Sequence, residues 1–278
     1  MATKRRLKKK WKKFFINIAL IILILIFGFS IYNIVKHNLE SKKTNEQLND
    51  IQDIVNVEEV TEIDDVEVIE PVEEIPKSNP YWDYINMNLI DVNFNDLKNI
   101  NKDVKGWIQV NGTNINYPFV QGSNNDYYLT HSFDKSYNSA GWVFLDYRND
   151  LSNYNNKNTI IYAHGRLDKT MFGSLRNALT NGWLNNSNNY VIKLSTEYEN
   201  TLWQVFSVYH IPTTSDYLKV DFNTDEQFNS FTNMLIERSS YNFNTNVSSN
   251  DRILTLSTCY DKTDKVVLHA KLIKREAK

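Results

Sequence analysis

Two side chains in this 278-residue sequence have the type and the setting for nucleophilic chemistry. Cys259 is the one cysteine of the chain and ends the alternating apolar segment Ile253-Leu-Thr-Leu-Ser-Thr-Cys259. A strand repeats every two residues, so Ile253, Thr255, Ser257 and Cys259 share one face while Leu254 and Leu256 share the other. The thiol therefore stands where a strand gives out into a polar turn, Asp261 to Asp264. A lone cysteine is ordinarily a small buried hydrophobe. As a thiolate beside an acid–base partner it is a nucleophile.

Among the five histidines, His164 has the matching setting. It ends the apolar strand Thr159-Ile-Ile-Tyr-Ala163 and is followed at once by Gly165, so its ring also projects from a strand end beside a backbone that can turn sharply. His37 follows a long apolar stretch and reads as solvated; His131 and His210 read as ordinary structural histidines in a turn and at a strand end. His269 shares strand parity with Lys265 and Lys271 and reads as part of a solvated face. No two histidines or carboxylates stand at a convincing metal-ligand spacing. Acidic turns such as Asp146 to Asp150 read as solvated surface, so neither a metal nor a cofactor is expected.

The elements that must hold these groups begin with a membrane anchor. Residues 1–13 carry eight Lys or Arg and no acid, and Phe14 to Val35 is 22 residues without a charge. As a helix such a stretch covers the roughly 30 Å of bilayer hydrocarbon. It is too long, and lacks the small-residue cleavage site, for a removable signal peptide. A single-pass anchor with the basic tail in the cytoplasm and everything after Val35 outside the cell membrane follows from the positive-inside rule. Thr44 to Pro76 has twelve acids and no Lys or Arg, which reads as an extended, self-repelling spacer with room for a short amphipathic helix near Leu39 to Val55. The predicted organisation is a cytoplasmic tail (1–13), a transmembrane helix (14–35), an acidic linker (36–80) and one catalytic domain (81–278).

That domain carries 19 basic and 20 acidic residues, a balance without a nucleic-acid footprint. One cysteine excludes an intramolecular disulfide and leaves a thiol of the kind that is reactive in an exported chain. Tyr81 to Val104 reads as helical. Eight strands follow: Gly106 to Val110, Asn114 to Val120, Gly141 to Leu145, Asn158 to Ala163, Asn189 to Leu194, Thr201 to Ile211, Arg252 to Thr258 and Lys265 to Lys274. Apolar stripes predict helices at Asp168 to Thr180 and at Asp225 to Ser240, the second opened by Thr224-x-x-Gln227 as a capping box. Eight short strands with inserted helices suggest a mainly β fold, a closed barrel with peripheral helices.

Tyr162-Ala-His164 together with Thr255-Leu-Ser-Thr-Cys259 resembles the sortases, and the Thr-Leu-Ser-Thr-Cys form is similar to class B sortases, the cysteine transpeptidases of Gram-positive bacteria. The block Gly106-Trp-Ile to Gly122, then Asn125 to Leu129, Gly141 to Asn149 and Met171-Phe172 match that family's pattern in order. The resemblance implies an eight-stranded barrel with an N-terminal helix and a helix between the sixth and seventh strands. It also implies an activity: cleavage of an exported protein's C-terminal sorting signal after Thr, in a motif of the Asn-Pro-Gln-Thr-Asn kind. The acyl fragment is held as a thioester and passed to an amine of peptidoglycan or its lipid-linked precursor, with hydrolysis as a side reaction. Carried onto this sequence, Cys259 is the nucleophile and His164 the general acid and base, with the backbone N–H after Cys259 a candidate oxyanion donor. Tyr217, Leu218, Ser257 and Thr258 fall where the family builds its substrate groove.

One departure stands out. The family places an Arg several residues after the Cys, whereas here no Arg occurs before Arg275. Lys265, at the opening of the last strand, is the expected stand-in and Lys262 the weaker candidate, with Arg252 or Arg166 as a second cation reaching in. A Lys supplies charge without a planar fork of donors, which predicts slower turnover. An L,D-transpeptidase would carry a His-Gly pair shortly before the Cys and an Arg after it, and a papain-like hydrolase would place Cys before His. Neither pattern is present. A membrane-tethered scaffold, a catalytically weakened sortase, is the non-enzymatic alternative.

Overall fold

The alternating segments of the sequence close into a barrel. The computed structural model describes residues 2–60, 66–152, 156–259 and 263–278, with backbone alone for residues 2–10 and Cys259. In chain order the elements are α1 (Ala2–Ile54), β1 (Val57–Glu59), β2 (Val66–Val68), α2 (Tyr81–Tyr84), β3 (Ile90–Val92), α3 (Asn95–Ile100), β4 (Val104–Val110) and β5 (Asn116–Val120). They continue with β6 (Phe144–Leu145), β7 (Asn158–Tyr162), α4 (Asn181–Leu184), β8 (Val191–Thr196), β9 (Glu199–Pro212), α5 (Asp225–Glu237), β10 (Ile253–Cys259) and β11 (Asp264–Ala277).

Residues Met1–Lys43 form one unit, whose described residues are all helix. Its apolar residues from Phe14 to Val35 are exposed, and α1 is, among the described residues, the helix long and apolar enough to cross a membrane. The second unit is Thr44–Lys278. Its main sheet runs β10-β7-β6-β5-β4-β8-β9-β11, and the pairing of β10 with β11 closes these eight strands, each of them expected from the sequence, into a ring. β7–β10 and β5–β6 are parallel and the other neighbours antiparallel.

Strand alternation sorts the side chains between two cores. Leu254, Leu256, Val266 and Leu268 belong to the cluster that fills the barrel. Ile253 and Val267 face outward and, with Phe206 and Tyr209 of β9, are covered by Phe228, Phe231 and Leu235 of α5 and by Tyr217. Each such large side chain contributes on the order of 1.5–3 kcal/mol by leaving water. The predicted cap holds α5: the Thr224 hydroxyl accepts from the Gln227 amide. The Gln227 side chain reaches back to the amide of Asn223, at 3.2 Å, one residue before the cap.

Three expectations are corrected. The acidic stretch read as a spacer is folded: Ile51 and Val55 are buried, β1 pairs with β3, and β2 pairs with the end of β11. Val57 of β1 and Val66 and Val68 of β2 pack against the domain while the carboxylates beside them stay outside, a compromise that composition averages away. Tyr81 to Val104 is two short helices around β3 rather than one helix. Over 168–180 the stripe Met171, Phe172, Leu175 and Ala178 is buried as expected. The backbone, however, is a 3-10 helix from Gly173 to Leu179, because Lys169 and Met171 take positive φ (65° and 51°) and Met171 bridges to Gly165.

Candidate active site

Tyr162 of β7 lies opposite Ser257 of β10, and the Ala163 amide still bonds to the Ser257 carbonyl at 3.4 Å. His164 and Cys259 each follow that pair by two residues. On the other side of β10, Cys259 is the antiparallel partner of Lys265. The expected His, Cys and Lys therefore arrive at one end of three adjacent strands. Lys262 and the amide after Cys259 lie outside the described residues.

Three contacts fix the imidazole and its turn. The Nε2–H of His164 donates to the Leu129 carbonyl at 2.7 Å, which assigns the proton of the neutral ring to Nε2 and leaves Nδ1 with the lone pair. The His164 carbonyl accepts from the Phe172 amide at 3.0 Å, and the next carbonyl, Gly165, accepts from Arg176 at 3.1 Å. The acceptor itself depends on Gly141, which sits at φ +61° against the chain before it. A Cβ there would stand 2.5 Å from the Tyr128 carbonyl oxygen and 2.9 Å from that of Leu129.

His164 and Lys265 border an open groove of about 510 Å³, and all four expected groove residues, Tyr217, Leu218, Ser257 and Thr258, line it. The Tyr217 hydroxyl meets Ser257 Oγ at 3.0 Å. Thr258 is buried, and its hydroxyl has no hydrogen-bond partner among the described residues. A larger hollow of about 720 Å³, between 74–80 and 241–246, contains none of the expected site residues.

The other cations do not reach the groove. Arg252 precedes β10, whose first residue pairs with Lys271, and its guanidinium is held by Glu199 at 3.0 and 2.5 Å. Seven steps along the strand at about 3.3 Å each separate it from Cys259. Arg166 is buried in an ion pair with Asp168 at 3.1 Å.

Residues beside the groove that sequence reasoning passed over form a second polar centre. Asp146, read as solvated, is fully buried. It accepts from Arg148 at 2.7 and 2.8 Å, from the Tyr162 hydroxyl at 2.8 Å and from Asn125 at 3.0 Å. Burial opposes its ionisation, but these donors outweigh burial and hold its carboxyl below the usual carboxylate range. Burial beside that carboxylate pushes the Tyr162 phenol up. The signal was Asp146 and Arg148 within the matched block Gly141 to Asn149, which composition reads only as charge. His131 stacks on Tyr127 with 4.0 Å between ring centroids, and His210 pairs with Asp264 at 2.7 Å. Among the described residues no group of three His, Cys, Asp or Glu is disposed to hold a metal ion.

The sortase domain family matches residues 108–273. A sortase B of Staphylococcus aureus is 38% identical over 185 residues, 65% of this chain and 75% of that protein. Sortase B from Bacillus anthracis in complex with AAEK1 superposes with a TM-score of 0.60 at 40% identity, over 65% of this chain and 84% of that one. A sortase B complexed with triglycine gives a TM-score of 0.61 at 38% identity, over 65% and 85%.

Proposed function

The chain belongs to the sortase family of cysteine transpeptidases, in its class B group, and from that premise we propose the reaction its groove performs. The Cys259 thiol passes its proton to His164 Nδ1, and the resulting thiolate attacks the carbonyl of the Thr in a C-terminal sorting signal of the Asn-Pro-Gln-Thr-Asn kind. The C–N bond after Thr breaks, His164 gives the leaving amine its proton, and the acyl fragment stays on sulfur as a thioester. An amine of the cell-wall peptide or its lipid-linked precursor then attacks that carbonyl, returns a proton to His164 and expels the thiolate. Water in place of the amine gives hydrolysis.

The observation that carries this reading is the arrival of His164, Cys259 and Lys265 at one end of β7, β10 and β11. Lys265 steadies the developing oxyanion and the substrate carbonyls as a point charge. Tyr217, Leu218, Ser257 and Thr258 hold the peptide. The apolar helix anchors the domain, with residues 1–13 cytoplasmic and the groove outside the membrane. The second reading, a weakened sortase serving as a surface scaffold, draws on Lys265 standing where the family has Arg.

Mass spectrometry of the full chain incubated with a sorting peptide tests the scheme. An adduct of the acyl fragment, absent in Cys259→Ala and discharged by an added amine, is the expected result. The triglycine bound in one sortase B structure makes that peptide the first amine to try. No adduct with any Thr-containing signal would leave the scaffold reading.

A further inference from the structure

His269 is not part of a solvated face. It is fully buried on the outer side of β11, beneath α5 and the loop that precedes it. Parity along a strand says which residues share a face, and α5 decides that this face is covered. Its Nδ1 is 2.9 Å from Thr255 Oγ1 and its Nε2 2.9 Å from the Tyr209 hydroxyl.

The direction of each proton follows from the far end. Asn158 donates its side-chain N–H to the Lys219 carbonyl at 2.9 Å, so it presents Oδ1 to Thr255, whose hydroxyl donates at 2.8 Å. A hydroxyl has one proton, so Thr255 must accept from His269 Nδ1–H. Nε2 then carries the lone pair and accepts from Tyr209. Burial, helped by the nearby Arg238 charge, lowers the His269 pKa to about 3, in agreement with this neutral tautomer. The row Tyr209, His269, Thr255, Asn158 crosses β9, β11, β10 and β7, four strands adjacent in that order, and ends on the loop backbone.

That loop is held residue by residue. Asp216 pairs with Arg238 at the end of α5 at 2.9 and 2.5 Å, and Tyr217 meets Ser257. The Leu218 carbonyl accepts from Arg148 at 3.0 Å, and the Lys219 carbonyl from Asn158. The Tyr217 ring stands edge-on to His269, with 6.4 Å between centroids. We propose that His269 is a positioning residue of the groove: acting through Thr255 and Asn158, it sets the segment 216–219, and with it the wall formed by Tyr217 and Leu218. This rests on the peptide-binding reading of the groove, which His269 itself does not line. An apolar side chain at 269 would fill the space but leave Tyr209 and Thr255 short of partners in a buried site, and the loop would have to shift to satisfy them.

The test compares the full chain in detergent with Thr255→Val, which keeps shape and opens the row, Thr255→Ser, which restores the hydroxyl, and His269→Leu, which removes both ring nitrogens. Amide exchange at 216–219 is expected to accelerate at least tenfold in Thr255→Val and His269→Leu and to return to the parent rate in Thr255→Ser. KM for a sorting peptide should rise about five- to tenfold, with kcat and the rate of Cys259 alkylation by a small methanethiosulfonate within twofold. Where Thr255→Val does not fold, Tyr209→Phe opens the row at its other end with the same readouts. Parent exchange at 216–219 in the folded variants, with only a lower melting temperature, would overturn the proposal and leave His269 as core. Faster exchange in a chain whose parent turns over no sorting peptide would support the positioning row and overturn the peptide reading alone.

Discussion

Tyr162 and Ser257 face each other across the parallel β7–β10 pair, and this pairing sets His164 and Cys259, two residues further on from each, at one level on neighbouring strands. Two groups that act as a unit lose their combined effect when either is removed. Cys259→Ala and His164→Ala are each expected to lower single-turnover acylation by about three orders of magnitude or more, within the range of nucleophilic and acid–base contributions. The double variant should fall no further. Additive losses would mean that the two side chains work independently.

Gly141→Ala tests the support of His164. Its Cβ would collide with the Tyr128 and Leu129 carbonyls, and the second of these holds the imidazole. A non-glycine residue at φ +61° also costs about 1–2 kcal/mol. The expected result is about a tenfold loss in kcat/KM together with a melting temperature lower by a few degrees, read by peptide turnover and circular dichroism. Full activity in a folded Gly141→Ala chain would show that the Leu129 carbonyl does not orient His164.

Lys265 is the partner of Cys259 in the β10–β11 register. Lys265→Ala is expected to lower kcat/KM by about ten- to a hundredfold, and Lys265→Arg to equal or exceed the parent, since a guanidinium adds a planar pair of donors. Lys262→Ala serves as the comparison. Unchanged turnover in Lys265→Ala removes the proposed role.

What the sequence made legible is what backbone periodicity controls. Alternation along Ile253 to Cys259 and Thr159 to Ala163 placed the thiol and the imidazole at strand ends, and Thr224 marked the start of α5. What it hid is set by contacts between distant segments. His269 and Lys271 share the parity of Lys265, but α5 and the residues around Asp251 cover the face they stand on. Asp146 looks like one charge in an acidic turn until Arg148, Tyr162 and Asn125 close around it. The acidic run from Thr44 to Pro76 hides two strands because single valines, Val57, Val66 and Val68, reach the domain from among exposed carboxylates.

Asp146→Ala should be among the more damaging changes outside the reacting groups. It leaves the Arg148 guanidinium without its carboxylate and the half-buried Tyr162 hydroxyl without an acceptor. Arg148 is itself exposed, so the cost is below that of a fully buried ion pair, about 1–3 kcal/mol, measurable as a lower urea midpoint. The folded carboxyl titrates below its unfolded value of about 3.9. Its contribution is therefore fully present above pH ~4 and is lost as pH falls through the lower folded value. Asp146→Asn should be less stable than the parent at neutral pH and should lack this acid-dependent part of the parent's decline.

His269 produces a separate acid lability at higher pH. Unfolded, it binds a proton near pH 6.5; folded, it stays neutral down to about pH 3, because the site is dry and Arg238 faces it from the end of α5. The other ionisable groups around the ring are the Tyr209 and Tyr217 phenols, uncharged in this range. Between pH 6.5 and about 3 the unfolded chain thus holds a proton that the folded chain lacks. Stability falls with acidification by about 1.4 kcal/mol per pH unit. Urea unfolding of the parent followed by tryptophan fluorescence should lose about 2 kcal/mol between pH 6.5 and pH 5 from this residue. Asp146 contributes nothing to that window, since both of its forms are ionised there. His269→Gln should be less stable at pH 7 yet show a flatter profile from pH 6.5 to 5. An equal slope in parent and variant would mean that the imidazole takes up its proton in place, which the row from Tyr209 to Asn158 forbids.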